Sequence, residues 1–195
     1  LFDYSLDEAL DWKTSRRISS CSICGVLRRR ALDLAAISLG VDVVATAHNL
    51  DDLLQTYFIN ILNGDVERIL WLNPTLQPKY SKIVRRVKPF MEIYEQEIAF
   101  YAYLSDIPFQ SSACPYMDEG IRSEVRLFLN SLEDKHPGIK YSIYSAVMKT
   151  IQNLKIEASK ELRLCRNCGG PATGDICQVC QTLQIIRENC RVGPR

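Results

Sequence analysis

Apolar positions near the start of the chain repeat first with a helical and then with a strand-like period. Residues 26–39 (VLRRRALDLAAISL) have helical composition and end at Gly40, a favoured C-terminal cap. Residues 41–47 (VDVVATA) are nearly all apolar and partly β-branched, which predicts a strand buried on both faces of a parallel sheet. A second helix is predicted over residues 50–62, because an Asn-Gly pair follows it.

The same plan continues in the second half of the chain. Residues 82–87 (KIVRRV) predict a strand, residues 92–105 a helix, and residues 107–110 (IPFQ) a short strand. Two further helices are predicted at about 120–133 and 139–162. Alternating strands and helices indicate an α/β fold with a parallel sheet.

This topology predicts where unusual residues meet. In a parallel sheet with right-handed crossovers, loops that run from a strand into a helix open on one edge. Cys21 and Cys24 are expected just before a helix, residues 48–52 between a strand and a helix, and Cys114 after the short strand. We therefore expect Cys24 and Cys114 to approach each other.

Composition changes this picture little. The chain has 195 residues, of which 47% are hydrophobic and 24% charged, with a net charge of +1. No run approaches the ~20 apolar residues of a membrane span, and the acidic start LFDYSLDEALDWK is unlike a signal peptide. We expect an intracellular, cytoplasmic protein without a membrane partner, and the local basic patches are weak evidence for nucleic-acid binding.

Cysteine spacing is more informative. The chain has eight cysteines, and two pairs, CRNC at 165–168 and CQVC at 177–180, have the spacing of a zinc site. Each pair presents two thiolates, so the two pairs complete a tetrahedral shell that leaves no open position for chemistry. We predict a structural Zn²⁺ held by Cys165, Cys168, Cys177 and Cys180, with two redox dithiols as the alternative.

A second group consists of Cys21, Cys24 and Cys114. Three thiolates cannot saturate a tetrahedral zinc or a four-iron cluster, so the missing ligand would be water, substrate or sulfide. Spacing alone leaves two alternatives: a catalytic dithiol with a buried structural Cys114, or three inert core thiols.

The stretch AHNLDD, residues 47–52, has two interpretations. In the functional one, Asp51 and Asp52 lie near a nucleotide, magnesium or an electrophilic carbonyl, with His48 close by. In the other, Asn49 caps the helix and the acidic residues complement its dipole. The run 28–30 (RRR) places positive charge near a helix start, where it is unfavourable, and at most two of its side chains can face one site.

Together these motifs resemble the TtcA/TtuA family of tRNA 2-thiolation proteins, in its TtuA and cytoplasmic tRNA 2-thiouridine synthetase branch. The resemblance runs from CSICGVLRRR through AHNLDD, NGD, KPF and SACPY to IRSEVRLFLNSLE and the terminal four-cysteine site. It implies an adenine-nucleotide alpha-hydrolase-like (PP-loop ATPase, Rossmann-like) parallel sheet, here partial, with a C-terminal zinc finger.

The resemblance also implies a function. Such proteins use ATP with Mg²⁺ to adenylate the C2 oxygen of a tRNA uridine, and then replace that oxygen with sulfur. The implied [4Fe-4S] ligands are Cys21, Cys24 and Cys114; the implied catalytic residues are Asp52, Arg28 and Arg29; and His48 and Asn49 would shape the nucleotide edge. The implied partners are tRNA, a ubiquitin-like sulfur carrier or sulfide donor, and a second copy or related subunit.

Two family features are missing from these residues. Neither the family's N-terminal zinc-binding module nor the glycine-rich loop that grips pyrophosphate is found in residues 1–20, so we expect either part of a longer enzyme or a split subunit that needs a partner. The expected organisation is a helical segment (1–20), an incomplete catalytic domain (21–162) and a zinc finger (163–190). The alternative function is a zinc-stabilised, non-catalytic tRNA-binding or scaffold subunit; in a third interpretation every metal site is structural zinc.

Overall fold

The computed structural model describes Asp7, Leu10 and residues 19–73, 84–153 and 163–189. The α-helices in this part are α1 (Ser20–Leu39), α2 (Leu50–Leu62), α3 (Val66–Leu70), α4 (Glu95–Leu104), α5 (Arg122–Lys135), α6 (Ile139–Asn153) and α7 (Gln178–Asn189). A 3₁₀ helix covers Met117–Glu119, and the strands are β1 (Val43–Ala45), β2 (Arg85–Val87), β3 (Arg163–Leu164) and β4 (Pro171–Ala172).

The chain divides into two compact units. The first comprises Leu1–Val43, Pro78–Arg85 and Ser159–Arg195, and the second comprises Val44–Gln77 and Arg86–Ala158. The organisation into segments 1–20, 21–162 and 163–190 stays a prediction, and most of its first segment lies outside the described residues.

Helix α1 of the first unit begins earlier than its sequence predicts. Ser19 caps it by accepting a hydrogen bond from the backbone N–H of Ser22, and Gly40 ends it with a φ of 62°. Cys21 and Cys24 therefore lie within the helix, and the prediction that they precede it was wrong, because Ser19 supplies the cap. Helix α1 packs against α7, whose Ile186 is fully buried.

The second unit is built around α2, which packs against α3, α5 and α6. Its buried core comprises Leu50, Leu53, Leu54, Ile69, Leu72, Tyr94, Val125, Leu129, Val147 and Ile151. Leu50 and Leu54 are completely inaccessible, which fixes the start of α2 and the polar residues at its N-terminus.

Strands β1 and β2 form a two-stranded sheet, and the N–H of Thr46 extends their pairing by donating to the carbonyl of Val87. The α/β class is confirmed. The prediction that the first strand is buried on both faces was wrong, since Val43 is 42% exposed. Helices packed on the faces of a sheet cover the side chains of its strands, and the described helices leave Val43 partly uncovered.

The short strand predicted at 107–110 is also absent from the described structure. The N–H of Ile107 donates to the carbonyl of Ala102 at the end of α4, and Pro108 has no N–H to donate. Neither residue can therefore donate to a neighbouring strand at this point.

The helices predicted at 50–62, 92–105, 120–133 and 139–162 end within a few residues of the observed ones, although residues 154–162 of the last lie outside the described part. Helices α3 and α7 were not predicted. Of the predicted strand at 82–87, the structure has Arg85–Val87, and residues 82–83 are not described. None of the described helices combines the length and apolarity that a membrane span requires.

Candidate functional site

The four cysteines predicted to bind zinc come together in the first unit. The strands β3 and β4 pair antiparallel, and the turn between them carries Cys165 and Cys168. Cys177 immediately precedes α7, and Cys180 lies in its first turn. The four Sγ atoms lie within 4.8 Å of one another.

Sulfur spacing in this group fits one tetrahedral ion. The Sγ atoms of Cys165 and Cys180 are 3.8 Å apart, and those of Cys168 and Cys177 are 3.6 Å apart. Four sulfurs at about 2.3 Å from a tetrahedral zinc lie about 3.8 Å from one another. The donor set and its geometry therefore fit a single Zn²⁺.

Backbone hydrogen bonds prepare these thiols for a cation. The N–H of Cys177 donates to Sγ of Cys165 at 3.2 Å, and the N–H of Cys180 donates to Sγ of Cys177 at 3.4 Å. Mainly through the first of these bonds, the pKa of Cys165 falls to about 6. Desolvation raises the pKa of Cys177 and Cys180. Cys165 thus ionises before Cys177 and Cys180, whose thiolates need a cation nearby to form.

The second predicted metal group is divided between the units. In the first unit, Cys21 is exposed and Cys24 is half-buried, and Nη2 of Arg28 donates to Sγ of Cys24 at 3.4 Å. In the second unit, Cys114 is exposed, in the loop that precedes the 3₁₀ helix. The site shared by these three cysteines stays a prediction.

The three arginines on α1 have different surroundings. Arg28 contacts Cys24, whereas the guanidinium of Arg29 extends back toward Gly25. The guanidinium of Arg30 lies against Gly170 of the four-cysteine region. Of the contacts described for these three arginines, the one from Arg28 reaches a predicted site residue, Cys24.

Asn49 and Asp52 cap helix α2 reciprocally. The N–H of Asp52 donates to Oδ1 of Asn49 at 2.9 Å, and the N–H of Asn49 donates to Oδ2 of Asp52 at 3.2 Å. This is a capping box, so the structural interpretation of Asn49 is confirmed. It leaves room for a second role, because Asp52 is only half-buried.

Asp51, by contrast, is committed to the core. Its Oδ1 lies 2.5 Å from Nζ of Lys140, and its Oδ2 accepts the N–H of Glu95 at 2.8 Å. Lys140 also donates to Oδ1 of Asn130 at 2.8 Å. Both charges are buried and satisfied, so the carboxylate of Asp51 positions α2 against α4 and α6.

Cations surround the start of α2. The pKa of His48 is lowered mainly by loss of hydration. The negative charge of Asp52 opposes this shift. The positive charges that lower the pKa further are those of Lys88, Arg122 and Arg86. Burial likewise lowers the pKa of Lys88, and Asp52 opposes this effect. His48 is held by a hydrogen bond of 2.9 Å between its Nδ1 and Oγ1 of Thr46.

Arg122 is a residue of this region that sequence reasoning did not single out. Its guanidinium donates to Oε1 of Gln55 at 3.1 Å and to Oγ1 of Thr56 at 3.3 Å. The only sequence signal was its place in the motif IRSEVRLFLNSLE. Three cations, Arg86, Lys88 and Arg122, act on the Asp52–His48 end of α2, an arrangement that suits a polyanionic ligand.

The fold and these sites define an α/β protein with a zinc-type four-cysteine centre and a cation-rich helix start. No family model matches the chain. It is 31% identical to the tRNA 2-thiolation protein NcsA of Haloferax volcanii, over 95% of this chain and 60% of that protein. It is 37% identical to the tRNA-5-methyluridine(54) 2-sulfurtransferase of Thermotoga maritima, over 89% of this chain and 57% of that protein.

A solved structure agrees with these relatives. The U34-tRNA thiolase NcsA from Methanococcus maripaludis, described with its [4Fe-4S] cluster, matches with a TM-score of 0.70 and 34% identity, over 88% of this chain and 55% of that one. The resemblance predicted from the motifs is therefore confirmed, and the chain is a homologue of tRNA 2-thiolation proteins. It spans between 55 and 60% of the length of these three proteins.

Proposed function

We propose that this chain carries the cluster-binding and zinc-binding part of a tRNA uridine 2-sulfurtransferase. The observation that carries the proposal is 31–37% identity, over most of the chain, to proteins named as tRNA thiolation enzymes. Because the chain spans little more than half of those proteins, their activity, substrates and partners are all part of the proposal.

The proposed iron–sulfur ligands are Cys21, Cys24 and Cys114. Three thiolates leave one iron of a [4Fe-4S] cluster without a cysteine ligand. When the cluster is bound, this open iron would be the place where the incoming sulfide attaches. The hydrogen bond from Arg28 to Cys24 supports this assignment, because a guanidinium offsets the negative charge of thiolate ligands. Arg28 and Arg29 are proposed to hold or activate the reacting group.

The proposed nucleotide site lies at the start of α2, in a PP-loop ATPase-like fold. The charges of Arg86, Lys88 and Arg122 support binding of ATP phosphates there, with Mg²⁺. His48 and Asn49 would shape the edge of this site. Asp52 would orient the reacting group, since its carboxylate is held by the capping box and is only half-buried.

In the proposed reaction, the C2 oxygen of uridine attacks the α-phosphorus of ATP and pyrophosphate leaves. Sulfide then adds to C2, and AMP departs with the former uridine oxygen. The thiocarboxylate of a ubiquitin-like carrier, or a sulfide donor, would provide the sulfur. The Zn²⁺ held by the four terminal cysteines takes no part in these steps and has a structural role.

We further propose that tRNA binds through phosphate contacts with the same cations, in the cytoplasm, and that the protein forms a homodimer or pairs with a related subunit. We propose no membrane partner.

Gene deletion and rescue test this function. The relatives' names specify two tRNA uridines, 34 and 54. In a deletion strain, the 2-thiouridine content measured by mass spectrometry should fall at one of these two positions. The full-length gene and a control variant, Asp134→Asn on the exposed surface of α5, should restore it. Asp52→Asn should not restore it.

Two results would contradict the proposal. Unchanged 2-thiouridine in the deletion strain would exclude the activity. Full rescue by Asp52→Asn would remove the catalytic assignment and favour the scaffold alternative.

A further inference from the structure

Arg28 and Arg30 leave helix α1 on opposite sides, since residues two positions apart in an α-helix point about 200° apart. Arg28 donates to Sγ of Cys24 on one side. Arg30 is half-buried and places its guanidinium against Gly170 on the other side. Helix α1 therefore carries a predicted cluster ligand on one side and contacts the four-cysteine region through Arg30 on another.

The contact at Gly170 leaves little space for a side chain. A Cβ added there would lie 3.0 Å from Nη2 of Arg30 and 3.1 Å from both its Cζ and its Nη1. Near-equal distances to three atoms of the planar group mean that its flat face lies over the position that a Cβ of residue 170 would take. Gly170 is itself buried, so an added Cβ would push the guanidinium of Arg30 back by a few tenths of an ångström.

Gly170 is also tied to the metal ligands. Its carbonyl accepts the N–H of Cys165 at 2.8 Å, which closes the first cysteine turn. Around the ligands, the buried hydrophobic cluster is small and consists of Cys165, Ala172 and Cys177. So small a core depends on its metal for a fixed fold, and the metal thereby fixes the surface on which Arg30 packs.

We propose that Arg30 is a positioning residue that couples metal loading of the four-cysteine site to the order of helix α1, which carries Cys21 and Cys24. The second connection between the two regions is α7, which carries Cys180 and packs against α1. The coupling stands on these contacts alone. Its consequence for sulfur transfer rests on the proposed function of Cys21 and Cys24.

Hydrogen exchange of the full chain, followed by mass spectrometry with and without Zn²⁺, tests the coupling. In the wild type, zinc removal should speed exchange of amides in α1 about fivefold or more, because a loss of ~1 kcal/mol of packing changes a local opening equilibrium by about that factor. Arg30→Ala should exchange faster even with zinc bound, and should respond less to zinc removal.

Gly170→Ala should resemble Arg30→Ala. Its matched control is Gly174→Ala in the loop after β4, where a Cβ would meet nothing within 4 Å, and this variant should behave like the wild type. If Gly170→Ala loses zinc altogether, Arg30→Ala still decides the question, because it leaves the loop sequence intact.

The proposal would be overturned by α1 exchange that responds equally to zinc in the wild type and in Arg30→Ala. No iron, sulfide, ATP or tRNA is present in this experiment. Failure of the coupling is thus distinguishable from failure of the thiolation proposal, which the 2-thiouridine measurement reads separately.

Discussion

Nζ of Lys140 lies 2.5 Å from Oδ1 of Asp51, and neither side chain is more than 6% exposed. This ion pair separates the roles of two adjacent carboxylates at the start of α2. Asp51 is bound within the core, whereas Asp52 is left at the edge of the helix among cations. One residue of separation on a helix rotates a side chain by about 100°, which is enough to divide structural from chemical roles.

Replacing one partner of this pair should destabilise the second unit strongly. Lys140→Met leaves a buried carboxylate without its cation, and such a loss costs about 3–5 kcal/mol. Urea unfolding measures the change. The control is Lys149→Met on the exposed side of the same helix, which should cost less than about 0.5 kcal/mol. Equal stability of the two variants would show that the pair contributes nothing specific.

The lowered pKa of His48 predicts a pH dependence of stability. Because the folded protein holds the proton of His48 less tightly than the unfolded chain, the unfolded state binds more protons near and below the ordinary histidine pKa of 6.5. The free energy of unfolding should therefore fall as pH decreases from about 7.5 to about 5.5. His48→Gln should reduce this slope.

A slope in His48→Gln equal to that of the wild type would show that the histidine at the start of α2 does not titrate as its surroundings indicate. Direct titration of the His48 imidazole by NMR provides an independent measurement.

The four-cysteine centre should be lost as a unit. Cys177→Ser should release Zn²⁺ and expose the 163–189 region to protease, because three ligands hold the ion poorly and the region has little core of its own. Acid should release the ion from the wild type as protons compete for the thiolates. Cys114→Ser, outside this centre, should retain one zinc. Similar zinc loss in both variants would contradict this assignment.

The four-cysteine centre was predictable from sequence because its ligands lie close together in the chain, and their spacing encodes the geometry. The cap of α2 was predictable for the same reason. The Asp51–Lys140 pair was not, since the residues are 89 positions apart and a lysine ordinarily lies at the surface. Only the packing of α6 against α2 brings them together.

The predicted strand at 107–110 fails for a related reason. Its apolar residues fit a strand, but pairing depends on the N–H of Ile107, which the end of α4 already uses. Arg122 likewise reaches Gln55 from 67 positions away, and no local period indicates that contact. Long-range polar contacts of this kind are not encoded in hydrophobic patterning.

The most direct test of the central claim is a count of iron and zinc after anaerobic reconstitution of the chain with iron and sulfide. We predict about four irons and one zinc per chain, with broad absorption near ~400 nm, and loss of the iron but not the zinc in Cys114→Ser. Two zinc ions per chain without that absorption would contradict the assignment of Cys21, Cys24 and Cys114 to an iron–sulfur cluster.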